Sequence, residues 1–405
     1  MSSGLRRDLG TLESYAALIG ILIGAGIFKV TGLAWSLTGP SVILGYLVLA
    51  PAILATSVAY VVFLSTPLGR EPGGEYTHIS RTFGGYGVAF VGAWLKIISY
   101  IGALAYLAIA FAEYLTALSG GIFRQQERIL LALASLLFFF VVHAVGVRWF
   151  GRIQVAMCAL LGVSIAVLVL PGLPAIHFSN YRPFFTRGFG GFAAALPPLF
   201  FAYAGFESLA QAAGEVKDST RRLPGIFVKG IAATTLIYFL MSAVALGVLP
   251  GARLPGSATP MAEAASVYLP AGAAWLVTLG AVMALTTSLN STMLVPSRLG
   301  LMLARDGLAP RWLGAIAARS GTPVAGLALT LAAAVLLVVS GQVSLALNIA
   351  VFALVVLYFL HSFTLLVLPR RNPTLYGEVT ARVPLGLQRL AAVFSMLAMG
   401  TLIFL

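Results

Sequence analysis

Long apolar runs, separated by short polar stretches, dominate the chain. A helix needs roughly 20 predominantly apolar residues to cross the hydrocarbon core of a bilayer, and several segments approach or exceed that length. We predict spans near residues 14–35, 40–64, 84–118, 128–147, 153–172, 190–213, 225–249, 262–300, 323–340, 343–368 and 386–405. The third and the eighth are overlong, so we expect them to tilt or to extend past the membrane. The pattern predicts an all-α integral membrane protein with about 11 transmembrane helices.

The middle of the first predicted span is interrupted by Gly24-Ala25-Gly26-Ile27-Phe28. Each glycine costs a helix up to ~1 kcal/mol relative to alanine. A helix that breaks there exposes backbone N–H and C=O groups, which inside a membrane must meet protein, water or ligand. We therefore predict a helix broken at mid-depth, an arrangement that suits the binding of a small polar solute.

The sixth predicted span carries a comparable interruption. Pro197 and Pro198 remove two backbone donors from it. Prolines are also tolerated in the first turn of a helix, so both interpretations remain open. Gly205 and the carboxyl group of Glu207 follow within the same apolar run and favour an interruption.

Spans one and six lie five apart and therefore cross the membrane in opposite directions. Paired interruptions at matching positions of two halves point to an inverted-repeat transporter. We expect one transmembrane transporter domain over residues 1–405. It comprises a first five-helix repeat at 12–173, a second, inverted five-helix repeat at 190–368 and an additional helix at 385–405.

The composition fits a membrane setting, because 60% of the 405 residues are hydrophobic and only 9% are charged. Soluble domains contain roughly 25% charged residues. The formal net charge is +13, yet the basic residues are scattered between apolar spans and form no aromatic-interleaved patch. This distribution argues against nucleic-acid binding. The single cysteine, Cys158, excludes an internal disulfide framework.

Lysine and arginine divide unevenly between the two sides of the predicted membrane. With the N-terminus inside, 18 of the 25 flank inner span ends and five flank outer ends, while Lys29 and Lys96 lie within spans. The positive-inside rule therefore predicts a cytoplasmic N-terminus. We expect a multi-pass protein of the cell (inner) membrane.

Four motifs follow one another along the chain. The first is the interrupted segment 24–28. The others are Glu71-Pro72-Gly73-Gly74-Glu75-Tyr76, then Phe201-Ala202-Tyr203-Ala204-Gly205-Phe206-Glu207 with Gly214-Glu215 and Arg221-Arg222-Leu223-Pro224, then Ser297-Arg298 with Ala304-Arg305-Asp306-Gly307 and Pro310. In this order, and over most of the chain, the motifs resemble those of the amino acid–polyamine–organocation (APC) superfamily of amino acid permeases.

The resemblance implies a leucine-transporter-type fold and secondary active transport of amino acids across the plasma membrane by alternating access. The substrate would lie at broken helices 1 and 6. Its carboxylate would meet the free N–H groups and the partial positive charge of a half-helix N-terminus. The residues implied at this first break are Ile23, Gly24, Ala25, Gly26 and Ile27.

The second break would offer free carbonyl groups to the ammonium group of the substrate. The residues implied there are Phe201, Ala202, Tyr203 and Ala204. Among the aromatic residues of this span, Phe201 and Tyr203 are favoured as lining residues of the site. The alternative for each is ordinary packing against neighbouring helices or lipid.

Charged side chains within spans are costly in hydrocarbon and are therefore candidates for function. Glu207 is expected to tie the inner half of span six to a neighbour, with Arg298 as its partner, in a structural ion pair or a gate. Lys29 either lines the outer vestibule or snorkels to the outer surface, and snorkelling is favoured. Lys96 lies near the cytoplasmic end of span three, where snorkelling is again open.

The coupling ion remains open. The resemblance implies a lysine in helix five of proton-coupled members and exchangers, but residues 152–164 contain none. Sodium needs hard oxygen ligands, and Thr286, Thr287, Ser288 and Ser291 with carbonyls of span one are candidates. Hydroxyl groups in membrane helices usually bond to their own backbone instead. Facilitated diffusion and exchange are equally open.

An amine or polyamine exchanger of the same fold is the nearest alternative function. A channel would need a continuous polar lining, and a membrane-embedded enzyme would need a catalytic cluster, neither of which the spans contain. His143 and His361 are expected to be packed or interfacial histidines rather than to relay protons. No metal and no cofactor are expected. The expected partners are an amino acid, a coupling ion (H⁺ or Na⁺) and the lipid bilayer, without nucleic acid.

Overall fold

The chain folds into a bundle of helices in a computed structural model. The structure describes residues 4–24, 26–249, 260–270 and 272–404, without the side chains at 29 and 344–348. Over these ranges β-pairing is limited to two isolated bridges, Leu9 with Val216 and Ala317 with Thr322. The predicted all-α class is confirmed.

Sixteen described helices follow one another along the chain. They are α1 (Thr11–Leu22), α2 (Thr31–Thr38), α3 (Val42–Leu64), α4 (Gly74–Phe83), α5 (Gly87–Leu118), α6 (Gln125–Val145), α7 (Val147–Gly172), α8 (Gly188–Phe201), α9 (Ser208–Gln211), α10 (Ser219–Val248), α11 (Pro260–Tyr268), α12 (Ala273–Arg305), α13 (Val324–Ser340), α14 (Val343–Arg371), α15 (Pro373–Gly377) and α16 (Leu385–Phe404). A π-helical turn, Gly26–Val30, joins α1 to α2.

By length and composition, nine helical segments within the described ranges could cross a membrane. Two shorter apolar helices, α8 and α13, add to them. The segments predicted to be overlong correspond to α5, with 32 residues, and α12, with 33. Large apolar side chains remain exposed around the bundle, as lipid contact requires, among them Phe138, Leu336 and Leu390.

Helix α1 ends at Leu22, in the middle of the first predicted span. The N–H of Gly24 turns back to the carbonyl oxygen of Leu22 at 2.8 Å, and the hydroxyl of Tyr238 donates to the same oxygen. A β-carbon at position 24 would collide with Oγ of Ser288. Glycine at position 24 therefore lets the backbone leave the helix and pack directly against α12.

Helix α8 ends at Phe201, and a turn over residues 202–207 precedes the short helix α9. Gly205 has a φ angle of +106°, a conformation that residues with a β-carbon rarely adopt. Pro197 and Pro198 lie near the end of α8, which begins at Gly188. The interpretation that these prolines occupy the first turn of a helix is therefore wrong.

Helices α5 and α12 form the centre of the bundle. Helix α5 packs against α12 and α14, whereas α12 also packs against α7 and α1. Helix α16 packs on the outside of α14 and α3. The interior positions of α1, α5, α12 and α14 therefore face one another, and the candidate site lies among them.

One end of the bundle gathers the N-terminal residues and several polar loops. The backbone of Leu9 pairs with Glu215 and Lys217, at N···O distances of 3.0 and 2.8 Å. The side chains of Tyr76 and Arg81 both donate to the carboxylate of Asp306. We call this end, defined by Leu9, Lys217, Arg81 and Asp306, the N-terminal face.

Candidate functional site

A cavity of about 50 Å³ lies where the end of α1 meets the turn after α8. Helices α5, α12 and α14 supply its remaining walls. The lining residues are Ile21, Leu22, Gly24, Gly26, Ser99, Tyr100, Ala103, Leu107, Phe201, Ala202, Ala204, Gly205, Ser288, Thr292 and Leu354. This volume is enough for about three to five water molecules, since each needs roughly 10–15 Å³.

The π-helical turn and the end of α8 touch at the cavity. A β-carbon at position 26 would lie 2.5 Å from both Cα and Cβ of Ala202, so only glycine permits this approach. The hydroxyl of Tyr238, on α10, donates to the carbonyl oxygens of Leu22 and, at 2.6 Å, of Ala202. One side chain thus holds the last turn of α1 and the end of α8 together.

Several residues singled out in the sequence lie in the cavity wall. Those that line it are Gly24, Gly26, Phe201, Ala202, Ala204 and Ser288. Ile23 and Ile27 are buried beside the wall without lining it. Ala25 lies outside the described residues, as does the side chain of Lys29, so the two interpretations of Lys29 stay predictions.

Tyr203 points away from the cavity. Its hydroxyl donates to the carbonyl oxygen of Tyr46 at 3.0 Å and to Oγ1 of Thr235 at 3.1 Å. Its ring lies edge-on to the ring of Tyr238, with 5.1 Å between centroids. Tyr203 therefore braces α8 against α3 and α10 in this conformation.

The carbonyl groups at the second turn are only partly free. The carbonyl oxygen of Phe201 accepts the N–H of Ala204, and that of Ala202 accepts the hydroxyl of Tyr238. The expectation of free carbonyls over the whole stretch is therefore wrong for Phe201 and Ala202. Polar turns in membrane proteins find such partners because an unpaired carbonyl in hydrocarbon is costly.

Helix α5 supplies lining residues that were not predicted. Ser99, Ala103 and Leu107 recur at intervals of four, so they lie on one face of the helix towards the cavity. Ser288 and Thr292 have the same spacing on α12. This periodicity of small and polar positions is the signal that could have identified them.

Phe201 lines a second, larger cavity as well as the small one. The second cavity has a volume of about 410 Å³ and is lined by α2, α5, α8, α14 and α16 through residues that include Val30, Tyr106, Phe201 and Val351. The ring of Phe201 lies edge-on to that of Tyr106, with 6.3 Å between centroids. Phe201 is common to both linings.

Glu207 lies fully buried behind the turn. Its carboxylate accepts the hydroxyl of Tyr100 at 2.7 Å, the N–H of Gly205 at 3.0 Å and the hydroxyl of Tyr358. Lys96 is also buried, and its Nζ lies 2.7 Å from Oε1 of Glu75 and 3.9 Å from Oε1 of Glu207. Lys96 therefore does not snorkel to the surface, because its ammonium group binds a buried carboxylate.

Arg298 pairs with Glu215 rather than with Glu207. Its Nη2 and Nε lie 2.7 and 3.2 Å from the two carboxylate oxygens, and both side chains are completely buried. The predicted pairing of Glu207 with Arg298 is therefore wrong. Because Glu215 also contacts the backbone of Leu9, the pair fixes α12 to the N-terminal face.

The interface of α1, α7 and α12 is filled by neutral hydrogen bonds. The amide of Gln154 donates to the carbonyl oxygens of Ala16 and Thr287, at 3.1 and 3.2 Å. The hydroxyl of Thr287 donates to Gly20, at 2.8 Å, and that of Ser288 to Ile21, at 3.1 Å. A weaker contact at 3.4 Å joins Ser291 to the carbonyl of Ala17.

Two histidines are packed inside the bundle, as expected. Nε2 of His143 lies 2.8 Å from the carbonyl oxygen of Asn290. Nε2 of His361 lies 2.9 Å from Nδ1 of His78, and both rings are buried.

At the N-terminal face, burial and the hydrogen bond to Asp306 raise the pKa of Tyr76, so this hydroxyl stays protonated at physiological pH.

Comparison with known proteins identifies the family. A family model described as amino acid permease matches residues 9–405. A branched-chain amino acid permease, BcaP, of Bacillus subtilis (strain 168) is 28% identical over 339 residues, which cover 79% of this chain and 71% of the relative. A methylthioribose transporter of the same strain is 25% identical over 330 residues, covering 76% of this chain and 69% of the relative.

A transporter from a plant is also similar to this chain. The chloroplastic cationic amino acid transporter 9 of Arabidopsis thaliana is 31% identical over 328 residues, which cover 76% of this chain but only 56% of the relative. The relatives are transporters rather than enzymes. The helical bundle, the family match and these similarities together show that the chain belongs to the amino acid permease family of the APC superfamily.

Proposed function

We propose that this permease is a secondary transporter that moves a small neutral amino acid across the cell membrane by alternating access. The observation that carries the proposal is the cavity at the contact between Gly26 and Ala202, where two helices end within the bundle. A solute bound there contacts backbone from both halves of the chain. Movement of either half therefore changes the site.

The substrate carboxylate binds at the first interruption. The π-helical turn that begins at Gly26 presents the N–H groups and the partial positive charge of a helix start. We assign carboxylate binding to the backbone at Gly26, which lines the cavity, and ammonium binding to the second turn. Since the carbonyl oxygens of Phe201 and Ala202 already accept hydrogen bonds, Ala204, which also lines the cavity, is the better candidate there.

The side chain of the substrate is small and aliphatic in this proposal. Among the described residues, no charged side chain lines the cavity, and Ile21, Leu107 and Leu354 supply apolar surface. The name of the Bacillus relative, a branched-chain amino acid permease, agrees with an apolar substrate. A cationic substrate or a polyamine would place an uncompensated charge against these side chains.

Two barriers alternate in this proposal. With the N-terminus in the cytoplasm, the buried pair of Arg298 and Glu215 and the backbone pairing of Leu9 close the cytoplasmic route. Phe201, between the two cavities, closes the opposite route. The moving parts are two inverted five-helix repeats at 12–173 and 190–368, with the helix at 385–405 outside them.

Sodium is not the coupling ion in this proposal. The carbonyl oxygens of α1 that face α12 already accept hydrogen bonds from Gln154, Thr287 and Ser288. A sodium ion would have to displace these neutral donors to obtain hard oxygen ligands.

Uptake by purified protein in proteoliposomes tests the function. Each of the twenty labelled amino acids, and putrescine as an amine, is offered to vesicles loaded with the same unlabelled compound. We expect exchange of one or more small neutral amino acids and none of putrescine. Exchange of putrescine alone would favour the amine exchanger, and a lack of exchange with every compound, by protein that is folded and inserted, contradicts the proposal.

A further inference from the structure

Four arginines lie close together in the sequence where α14 ends and α16 begins. They are Arg370 and Arg371 in the last turn of α14, Arg382 in the linker and Arg389 near the start of α16. All four side chains are exposed. Residues 369–389 contain one carboxylate, Glu378, so this segment carries a net charge of +3. We call the four residues the arginine patch.

The linker between α14 and α16 is held against the rest of the bundle. Nδ2 of Asn372 donates to the carbonyl oxygen of Arg81 at 2.8 Å. The hydroxyl of Thr380 donates to the carbonyl oxygen of Ser65 at 2.8 Å, and the N–H of Ala381 donates to the Ser65 hydroxyl at 3.1 Å. Because Arg81 belongs to the N-terminal face, the arginine patch lies at that face, on a backbone that is fixed in place.

Within the described part of the chain, the guanidinium groups of the arginine patch have no hydrogen-bond, ion-pair or ring partner. Other arginines of the N-terminal face are paired. Arg81 binds Asp306, and Arg222 binds Asp218. Each guanidinium group of the patch therefore keeps its five N–H donors for a ligand that supplies acceptor oxygens.

An apolar surface continues from the arginine patch along α16. Leu390, Val393 and Leu397 are 67%, 43% and 65% exposed, and their spacing of three and four residues places them on one face of the helix. Arg389 precedes Val393 by one turn and lies at the same face. From Arg389 to Leu397 the helix rises by roughly 12 Å. One leaflet contributes roughly 15 Å to the hydrocarbon core, so this surface matches the depth of one layer of acyl chains.

These two surfaces together define the chemistry of a ligand. A guanidinium group binds a phosphate through two parallel hydrogen bonds, which a carboxamide or hydroxyl ligand cannot match in charge. Exposed leucine and valine side chains favour hydrocarbon. A nucleic acid or an acidic protein would satisfy the arginines and leave the apolar surface uncovered. A molecule with an anionic phosphate head and acyl chains satisfies both.

We propose that the arginine patch is a binding site for an anionic phospholipid. The headgroup phosphate binds the guanidinium groups at the ends of α14 and α16, and an acyl chain lies along Leu390, Val393 and Leu397. A zwitterionic phospholipid binds more weakly, because its headgroup cation opposes the charge of the patch. This site does not depend on which solute the permease carries.

The bound lipid supports the helices around the candidate site. Helix α14 contributes Leu354 to the wall of the small cavity, and its end is joined to α4 through Asn372. A ligand that binds the folded protein alone stabilises it by mass action. Anionic phospholipid therefore stabilises the packing of α14 against α16 and α4.

Native mass spectrometry of the purified protein tests the selectivity. The protein is titrated with dioleoylphosphatidylglycerol or with dioleoylphosphatidylcholine. An arginine near a membrane surface changes the affinity for anionic lipid by about five-fold. We expect wild type to bind phosphatidylglycerol at least about ten-fold more tightly, and Arg370→Gln/Arg371→Gln/Arg382→Gln/Arg389→Gln to lose this preference.

Two results with wild type overturn the proposal. One is equal affinity for the two lipids. The other is displacement of phosphatidylglycerol by millimolar inorganic phosphate, which would assign the patch to a free anion. If the quadruple variant does not fold, Arg370→Gln/Arg371→Gln and Arg382→Gln/Arg389→Gln replace it, and each should lose at least about five-fold in affinity for phosphatidylglycerol.

A matched control removes the same charge elsewhere on the N-terminal face. It is the variant Arg148→Gln/Arg221→Gln/Arg311→Gln/Arg319→Gln, in which each replaced arginine is exposed. This variant should keep the preference for phosphatidylglycerol. An equal loss of preference in both quadruple variants would show a general attraction to a positively charged face and would contradict a site at the arginine patch.

A phosphatidylglycerol with a photoreactive diazirine in its acyl chain locates the bound lipid. We expect crosslinks to residues 386–397 in wild type and their loss in the variant that lacks the arginine patch. Crosslinks of equal yield in both proteins would contradict the assignment. In detergent, added phosphatidylglycerol should raise the Tm of wild type and of the matched control, but not that of the patch variant.

Discussion

The backbone of Gly26 lies against that of Ala202 so closely that a β-carbon at position 26 would be 2.5 Å from Cα of Ala202. Non-bonded carbon atoms do not approach one another this closely, so a larger residue must push the π-helical turn away from the end of α8. Both residues line the small cavity. Packing and substrate binding therefore depend on one position.

Replacement of Gly26 by valine should abolish amino acid exchange while membrane insertion is retained. The added methyl groups cannot be accommodated without moving Ala202. Exchange in proteoliposomes and a size-exclusion profile in detergent provide the two readouts. Gly162→Val is the matched control, because no atom lies within 4 Å of a β-carbon there, and it should exchange normally. Full activity of Gly26→Val would remove this contact from the mechanism.

Phe201→Leu should raise the KM for the transported amino acid. The smaller side chain no longer separates the two cavities and loses the edge-on contact with Tyr106. We expect an increase of about ten-fold, which corresponds to ~1.4 kcal/mol of binding free energy. Phe189→Leu on the same helix is the control, since Phe189 is 78% exposed. Equal KM values for the two variants would argue against a barrier at Phe201.

Tyr238→Phe should lower stability, because its hydroxyl bonds to the carbonyls of both Leu22 and Ala202. Removal of the hydroxyl leaves the two buried carbonyl oxygens without this hydrogen-bond donor, which costs ~1–3 kcal/mol. Thermal unfolding in detergent measures the change. Tyr181→Phe, which removes a single hydroxyl bond to the carbonyl of Ala243, should have a smaller effect. The prediction is wrong if the order of the two effects is reversed.

Arg298→Met should be strongly destabilising, because it leaves Glu215 buried and uncompensated. Removal of one partner of a buried ion pair costs ~3–5 kcal/mol. The double variant Arg298→Met/Glu215→Leu should recover most of that loss. Arg222→Met, which breaks an exposed pair with Asp218, should cost less than ~1 kcal/mol. A double-mutant cycle with no recovery would contradict the assigned pairing.

Uptake should not depend on sodium. Replacement of Na⁺ by N-methyl-D-glucamine at constant pH is expected to change the initial rate by less than about two-fold, or ~0.4 kcal/mol. The reason is that Gln154, Thr287 and Ser288 already donate to the carbonyls of α1. A steep, saturable requirement for Na⁺ would show that these donors give way to the ion.

The residue pattern was a reliable guide to elements that depend on local chemistry. Apolar runs of sufficient length predicted the long helices, because hydrocarbon requires every backbone group to be bonded within the segment. Gly24 and Gly205 marked the points where the first and sixth spans leave the helix, since glycine tolerates the backbone there at little cost. The family motifs are contiguous stretches of residues, so they too can be identified without the tertiary structure.

Partners far apart in the sequence could not be predicted in this way. The sequence predicts Arg298 as the partner of Glu207, whereas Arg298 pairs with Glu215. It leaves snorkelling of Lys96 open, whereas Lys96 binds Glu75. Helical periodicity gives the face on which a side chain lies but not the helix that packs against that face.

The sequence by itself determined the membrane setting, the helical class and the permease family, because each depends on hydrophobicity, backbone preference or a contiguous motif. The tertiary structure decided that Gly26 contacts Ala202, that Tyr203 faces away from the cavity and that Lys96 serves two carboxyl groups. These features depend on how α1, α5, α8 and α10 approach one another, and helix packing is set by the whole bundle at once.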